Sequence, residues 1–148
     1  MKIPLLLILL LTLSLTTLAD DNEISLSDSS GESVAYIVLN DEFTIHTWDG
    51  EVVAYLHSST GNFNSEMDVY GWNGDHLGWF NDGIIMNHYG DMSCVVREKH
   101  PYPLVEFGKN NKFGKYGKNV RYGAPGKPIF SGRFSEVSCL SLMISGRP

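Results

Sequence analysis

The feature that most limits what this chain can fold into is a short motif that it states four times. Aligned on Gly31, Gly50, Gly74 and Gly90, the residue four places after each glycine is Ala35, Ala54, Gly78 or Cys94, always small. Two places further on stands Ile37, Leu56, Phe80 or Val96, always apolar. Five places before each glycine stands Leu26, Ile45, Val69 or Ile85. Asp49-Gly50 and Asn73-Gly74 are strong hairpin signals, because a type I′ turn needs positive φ at both central positions. The unit therefore reads as strand, two-residue turn, strand. The glycines lie 19, 24 and 16 residues apart, and the variation falls in the connections, of which "HSSTGNFNSE" (57–66) is the long one.

Side chains alternate across a strand, so the two faces of each hairpin can be separated. Pairing across a two-residue turn sets Ala54 opposite Ile45 and Val53 opposite His46. The first face is apolar in all four units and carries the repeated small residue, which suggests that backbones converge near a shared axis. The second face is aromatic: Tyr36, Trp48, Tyr55, Tyr70, Trp72 and Trp79, with Val53 and Leu77 among them. These six aromatic side chains are the candidate ligand face. They serve either as a shallow platform for a sugar or peptide, or as a second core beneath something that covers them. One hairpin alone is marginal in water, whereas four around an axis share a core and protect their edges. The expected fold is all-β: four repeated β-hairpins in a pseudo-four-fold closed or propeller-like arrangement, followed by a basic Gly/Pro-rich C-terminal extension.

The units "DGEVVAYL" (49–56) and "NGDHLGWFNDGIIMNHYGD" (73–91) resemble the bacterial four-fold beta-flower domain family over about residues 24–97. The resemblance implies a small exported or surface-associated module. It implies no catalytic residues, because no activity is assigned to such domains. The fourth copy, "YGDMSCVV", departs from the pattern at Ser93 and Cys94.

Three segments follow from composition. Residues 1–19 read as a signal peptide: Lys2 gives the charged start, Leu5–Leu15 the apolar stretch, and Thr17-Leu18-Ala19 the small-x-small cleavage site. Cleavage after Ala19 would place the protein in the periplasm or outside the cell, with membrane contact only through this segment. Residues 20–100 are the four-hairpin domain. Residues 101–148 are a basic Gly/Pro/aromatic tail, expected to be partly ordered. Residues 20–107 carry sixteen acids against two basic residues, net −14, while residues 108–148 carry eight basic residues against one acid, net +7. Such asymmetry marks a tail that folds back on its acidic body or one that seeks an outside polyanion, such as an envelope polymer. The run "FGKNNKFGKYGKNVRYG" (107–123) interleaves aromatics, glycines and lysines in the manner of single-strand nucleic-acid binders. Export argues against nucleic acid, and self-docking is the plainer reading. The last segment, "SEVSCLSLMISG" (135–146), is apolar enough to pack home as a strand or a short helix.

The two cysteines, Cys94 and Cys139, form an even count, which in an exported chain points to one bridge. Yet Cys94 stands in the small inner position, where a free thiol can replace an alanine. Only a Cα separation below about 7 Å permits the bridge.

The five histidines lack metal-ligand spacing, so neither a metal nor another cofactor is expected. No nucleophile elbow occurs. Glu32, Glu51, Asp75 and Asp91 each follow a turn glycine, and such repetition suits a turn role better than one catalytic pair. No catalytic residue is assigned. The functional expectation is a non-catalytic binding or structural protein of the bacterial envelope or exterior, its partner an anionic polymer or another protein. The alternative is a small secreted hydrolase acting on envelope polymers. A convergent pocket holding one histidine and one acid from different units would favour the second, and a flat aromatic face with no pocket the first.

Overall fold

The computed structural model describes residues 22–58, 62–101 and 105–148; the expected signal peptide lies outside them. Eight strands follow one another in chain order: β1 (Glu23–Ser27), β2 (Ser33–Val38), β3 (Thr44–Thr47), β4 (Val52–His57), β5 (Met67–Gly71), β6 (His76–Asn81), β7 (Ile84–Met86) and β8 (Met92–Val95). Each pairs antiparallel with the next, and the ring closes where Ser27 of β1 meets Val95 of β8. Ser27 Oγ also donates to the Val95 carbonyl at 3.0 Å. The four units are thus the four corners of one eight-stranded barrel.

The apolar face of the repeat is the barrel interior. Leu26, Ala35, Ile37, Ile45, Ala54 and Leu56 all join one core cluster, as do Val69, Phe80, Ile85, Cys94 and Val96. Each large aliphatic or aromatic side chain here contributes roughly 1.5–3 kcal/mol by leaving water. The repeated small residue has a steric cause. A Cβ added at Gly78 would lie 2.1 Å from the Met86 carbonyl oxygen of the neighbouring strand.

The turns differ from the expectation. Asp49 and Asn73 do not have positive φ; only the glycines do, at +96° for Gly50 and +94° for Gly74. The Gly50 N–H donates to the Thr47 carbonyl at 2.9 Å, and the Thr47 N–H to the Glu51 carbonyl at 2.8 Å. The loop is therefore Trp48-Asp49-Gly50, a three-residue connection that ends in a left-handed glycine. The same two bonds recur at Gly31, Gly74 and Gly90. The doubly positive turn occurs elsewhere, at Asp82 (φ 48°) and Gly83 (φ 77°) between β6 and β7.

A one-residue bulge restores the register in every hairpin. His46 pairs with Val52, not with Val53, and Ile45 still pairs with Ala54. Corresponding shifts follow Leu26, Val69 and Ile85. The extra residue changes faces: Val53 and Leu77, expected outside, belong to the inner core together with Val34. A bulge sets two residues of one strand against one of its partner, so the strict alternation fails at that point.

The segment after the barrel is not a separate extension. Residues 105–135 run as an extended strap around the outside, and α1 (Cys139–Ile144) then enters the barrel end nearest the turns. Cys139 and Met143 are fully buried in the barrel core, and a Cys94–Cys139 disulfide with Cα atoms 4.8 Å apart fixes the entry. Ser138 caps the helix by accepting from the Ser141 N–H at 3.1 Å. A helix this short has little stability of its own, so burial and the bridge hold it. Beyond it, Gly146 packs back to back with Gly71, where an added Cβ would meet the other glycine's Cα at 2.5–2.6 Å. The Asn73 N–H donates to the Gly146 carbonyl at 3.0 Å. At the far end of the barrel, Phe63 packs between Phe43 and Phe80.

Candidate functional site

The strap visits the turn glycines in chain order. The N–H groups of Val105, Phe113, Tyr122 and Ser131 donate to the carbonyls of Gly31, Gly50, Gly74 and Gly90 at 2.8–2.9 Å. The last three donors are nine residues apart, and the sequence between them repeats: Gly108-Lys109-Asn110, Gly117-Lys118-Asn119, Gly126-Lys127-Pro128. What reads as low-complexity composition is a nine-residue period matched to the corners of the barrel.

The first two repeats deliver their lysines into aromatic cradles. Lys109 Nζ lies 4.2 Å from the centre of the Tyr36 ring and 5.4 Å from that of Trp48. Lys118 Nζ stands likewise 4.4 Å from Tyr55 and 5.4 Å from Trp72. The indole of Trp48 donates to the Phe107 carbonyl at 2.8 Å, and that of Trp72 to the Tyr116 carbonyl at 2.6 Å. The Asn110 and Asn119 N–H groups return bonds to the Trp48 and Trp72 carbonyls at 3.1 and 2.9 Å. Such cation–π contacts strengthen when they are shielded from water. An acid holds each of the three lysines: Glu23 binds Lys109, Glu42 binds Lys118 at 2.8 Å, and Glu66 binds Lys127. These acids stand eight residues before Gly31, Gly50 and Gly74, a further constant of the repeat.

The aromatic face is therefore covered, not open. Tyr36, Tyr55, Tyr70, Trp72 and Trp79 are buried, and Trp48 is half-buried. As a platform for an outside ligand this face is corrected: it forms a second core beneath the strap. Lys109, Lys112, Lys115, Lys118 and Lys127 all bind acids of the same chain, which leaves them little charge to offer a polyanion. The strap's own outward side chains make the new surface. Phe107, Phe113, Tyr116, Tyr122, Ile129 and Phe130 are exposed, Tyr116 at 71% and Ile129 at 92%. Phe107 with Tyr116 and Phe113 with Tyr122 fall on the same nine-residue period, which went unread in the sequence.

The pairing makes the strap acid-sensitive. Burial opposes ionisation of Glu23, but Lys109 and Lys112 outweigh it and hold its carboxyl below the usual range. Lys118 does the same for Glu42, and Ser131 with Arg133 for Asp91. A depressed folded-state pKa contributes stability above the unfolded value of about 4, and that stability is lost as pH falls through the folded value. The urea midpoint is therefore expected to fall on acidification below pH 4, with pepsin cutting the strap first. The Lys109→Gln variant should show a shallower pH dependence. Burial also pushes the Tyr36 phenol up to about 12, with Glu23 adding to the effect.

The fourth corner, at Gly90, breaks the pattern. His88 replaces the tryptophan, and Pro128, which has no N–H, replaces the asparagine. Here Asp68 Oδ1 lies 3.0 Å from His76 Nε2, and His76 Nδ1 lies 2.9 Å from His88 Nε2. His76 is buried and His88 is exposed. Burial, then the neighbouring His76, lowers the pKa of His88. No sequence spacing announces this chain, because it joins β5, β6 and the turn between β7 and β8. Among the described residues, no group of three or more His, Cys, Asp or Glu side chains is arranged to hold a metal ion. Among the same residues, no helix is long and apolar enough to cross a membrane.

A family model described as 4-fold beta flower protein matches residues 24–143, a span that takes in the strap and α1 as well as the barrel. No curated protein and no solved structure matches the chain.

Proposed function

We propose that this chain, which belongs to the 4-fold beta flower family, is an exported, non-catalytic binding or structural protein of the bacterial envelope or exterior, and that it works through the outer side of its strap. The observation that carries this reading is the series of exposed aromatic side chains at Phe107, Phe113, Tyr116 and Tyr122. An exposed apolar patch on a small protein usually marks an interaction surface. The backbone beneath it is tied to every corner of the barrel, so little ordering cost falls on binding. Since the lysines are engaged internally, the partner is better sought among uncharged surfaces than among polyanions. The test is affinity capture from an envelope extract, comparing the unaltered chain with a Phe113→Ser/Tyr116→Ser/Tyr122→Ser variant. The reading expects the variant to lose what the unaltered chain retains; equal capture by both would sink it.

Export rests on the N-terminal pattern and on the paired cysteines. N-terminal sequencing of the secreted or periplasmic product is expected to begin at Asp20. A product that retains Met1 and stays with the membrane fraction would remove this part of the reading.

One observation favours the alternative, a small secreted hydrolase of envelope polymers: Asp68 and His88 come from different units and are joined through His76. A carboxylate-backed histidine chain can act as a general base. Polymer turnover lost in a His88→Ala variant would support it.

A further inference from the structure

We propose that His76 and His88 form a two-histidine site for a late first-row transition-metal ion, copper(II) foremost. The repeat itself does not call for histidine at these positions. The equivalent pairs at two other corners are Val52 with Trp72 and Ser33 with Trp48. In those corners the tryptophan ties down the strap, whereas here two imidazoles face each other. Their rings are within 7° of parallel with centroids 5.2 Å apart. With 2.9 Å between Nδ1 of His76 and Nε2 of His88, the rings meet edge to edge, nitrogen to nitrogen.

Asp68 sets the chemistry. Its carboxylate only accepts, so the 3.0 Å contact places the His76 proton on Nε2 and leaves the Nδ1 lone pair towards His88. A carboxylate holding the far N–H of an imidazole is the usual support of a metal-binding histidine, because it fixes the tautomer and raises basicity. His76 is also held in place by ring contacts with Tyr70 and Trp79. His88, being exposed, can turn. The proton shared between the two histidines then belongs to His88 Nε2, and His88 Nδ1 is free to take it. When a metal arrives, that proton moves from Nε2 to Nδ1 of the same ring, and no proton leaves the neutral pair. Both lone pairs then reach one ion. Nitrogens on adjacent coordination positions at about 2.0 Å from a metal stand roughly 3 Å apart, close to the spacing already present. Two protein ligands leave the other positions to water or to a partner, which agrees with the absence of any larger ligand group among the described residues. Copper(II) leads because nitrogen sites favour it over the other divalent first-row ions.

The test is a titration of the disulfide-bonded chain with copper(II) chloride at pH 7.5 in a non-coordinating buffer, followed by tryptophan fluorescence and calorimetry. Trp79 is the reporter, its ring centroid 4.7 Å from that of His76 and 5.6 Å from that of His88. The expected result is saturable quenching at one ion per chain. Quenching should vanish in His88→Ala and weaken about tenfold in Asp68→Asn. His88→Gln, with its copper-free melting temperature checked against the unaltered chain, repeats the test without loss of side-chain volume. One equivalent still bound by both His88 variants, or quenching that never saturates, would overturn the proposal.

Discussion

Reduction of the Cys94–Cys139 bridge is expected to lower the unfolding free energy by about 4 kcal/mol. The bridge spans 45 residues of sequence, and chain-entropy arithmetic for a loop of that size gives roughly this figure. Two structural features make it a central tie. The loop it closes contains the whole strap, so reduction frees the strap's far end. Cys139 also begins α1, whose Met143 is fully buried in the barrel. A six-residue helix has little hold of its own once the covalent tie is gone. Urea unfolding with and without a reductant measures the effect, and a Cys94→Ala/Cys139→Ala chain separates it from side reactions of free thiols. Coincident midpoints would show that packing alone holds the helix.

Gly74→Val should cost about 1–3 kcal/mol from backbone strain alone, because a β-branched residue resists the φ of +94° found there. A second cost comes from outside the barrel. A Cβ at this position would lie 2.2 Å from the Val120 carbonyl oxygen of the strap. The substitution therefore pushes the strap off the third corner, breaking the Tyr122–Gly74 bond of 2.9 Å. Gly50 and Gly90 are placed in the same way against Asn111 and Ile129. The expected outcome is a lowered melting temperature together with faster tryptic cleavage after Lys118 and Arg121. A lowered melting temperature with unchanged cleavage would mean that only the turn is strained and the strap adapts.

The interior was legible because it depends on one period. Small and large apolar residues at fixed distances from a glycine define a face, and a closed barrel is the plain way to bury four such faces. The turn geometry was not legible, because the Asp-Gly signal fits both a doubly positive turn and a longer loop ending in glycine. The extra loop residue and the bulge at Val53 offset each other, so Ile45 met Ala54 as expected even though the turn between them was misread. The aromatic face read either as an open platform or as a core beneath something that covers it, and in the structure the strap lies over it. Gly108-Lys109, Gly117-Lys118 and Gly126-Lys127 carry a period that is visible in the letters. Its meaning depends on a second constant, the acids Glu23, Glu42 and Glu66, which lie more than sixty residues away. The Asp68–His76–His88 chain had no linear signal at all, since its members sit on two strands and a separate turn.

The strap meets successive turn glycines after 8, 9 and 9 residues, while the barrel glycines are 19, 24 and 16 residues apart. One path around the molecule has a nearly constant stride and the other does not. An added residue upstream of the acid in a far-end connection, such as one before Glu66 between β4 and β5, lengthens a loop and leaves that acid eight residues before its glycine. An added residue in the strap shifts every later lysine away from its acid and carries the error on to Cys139. The chain thus has a permissive end and a metered one. Grafted peptides, tags or natural insertions belong at the permissive end, and length variation among related sequences should collect there while the strap keeps its count.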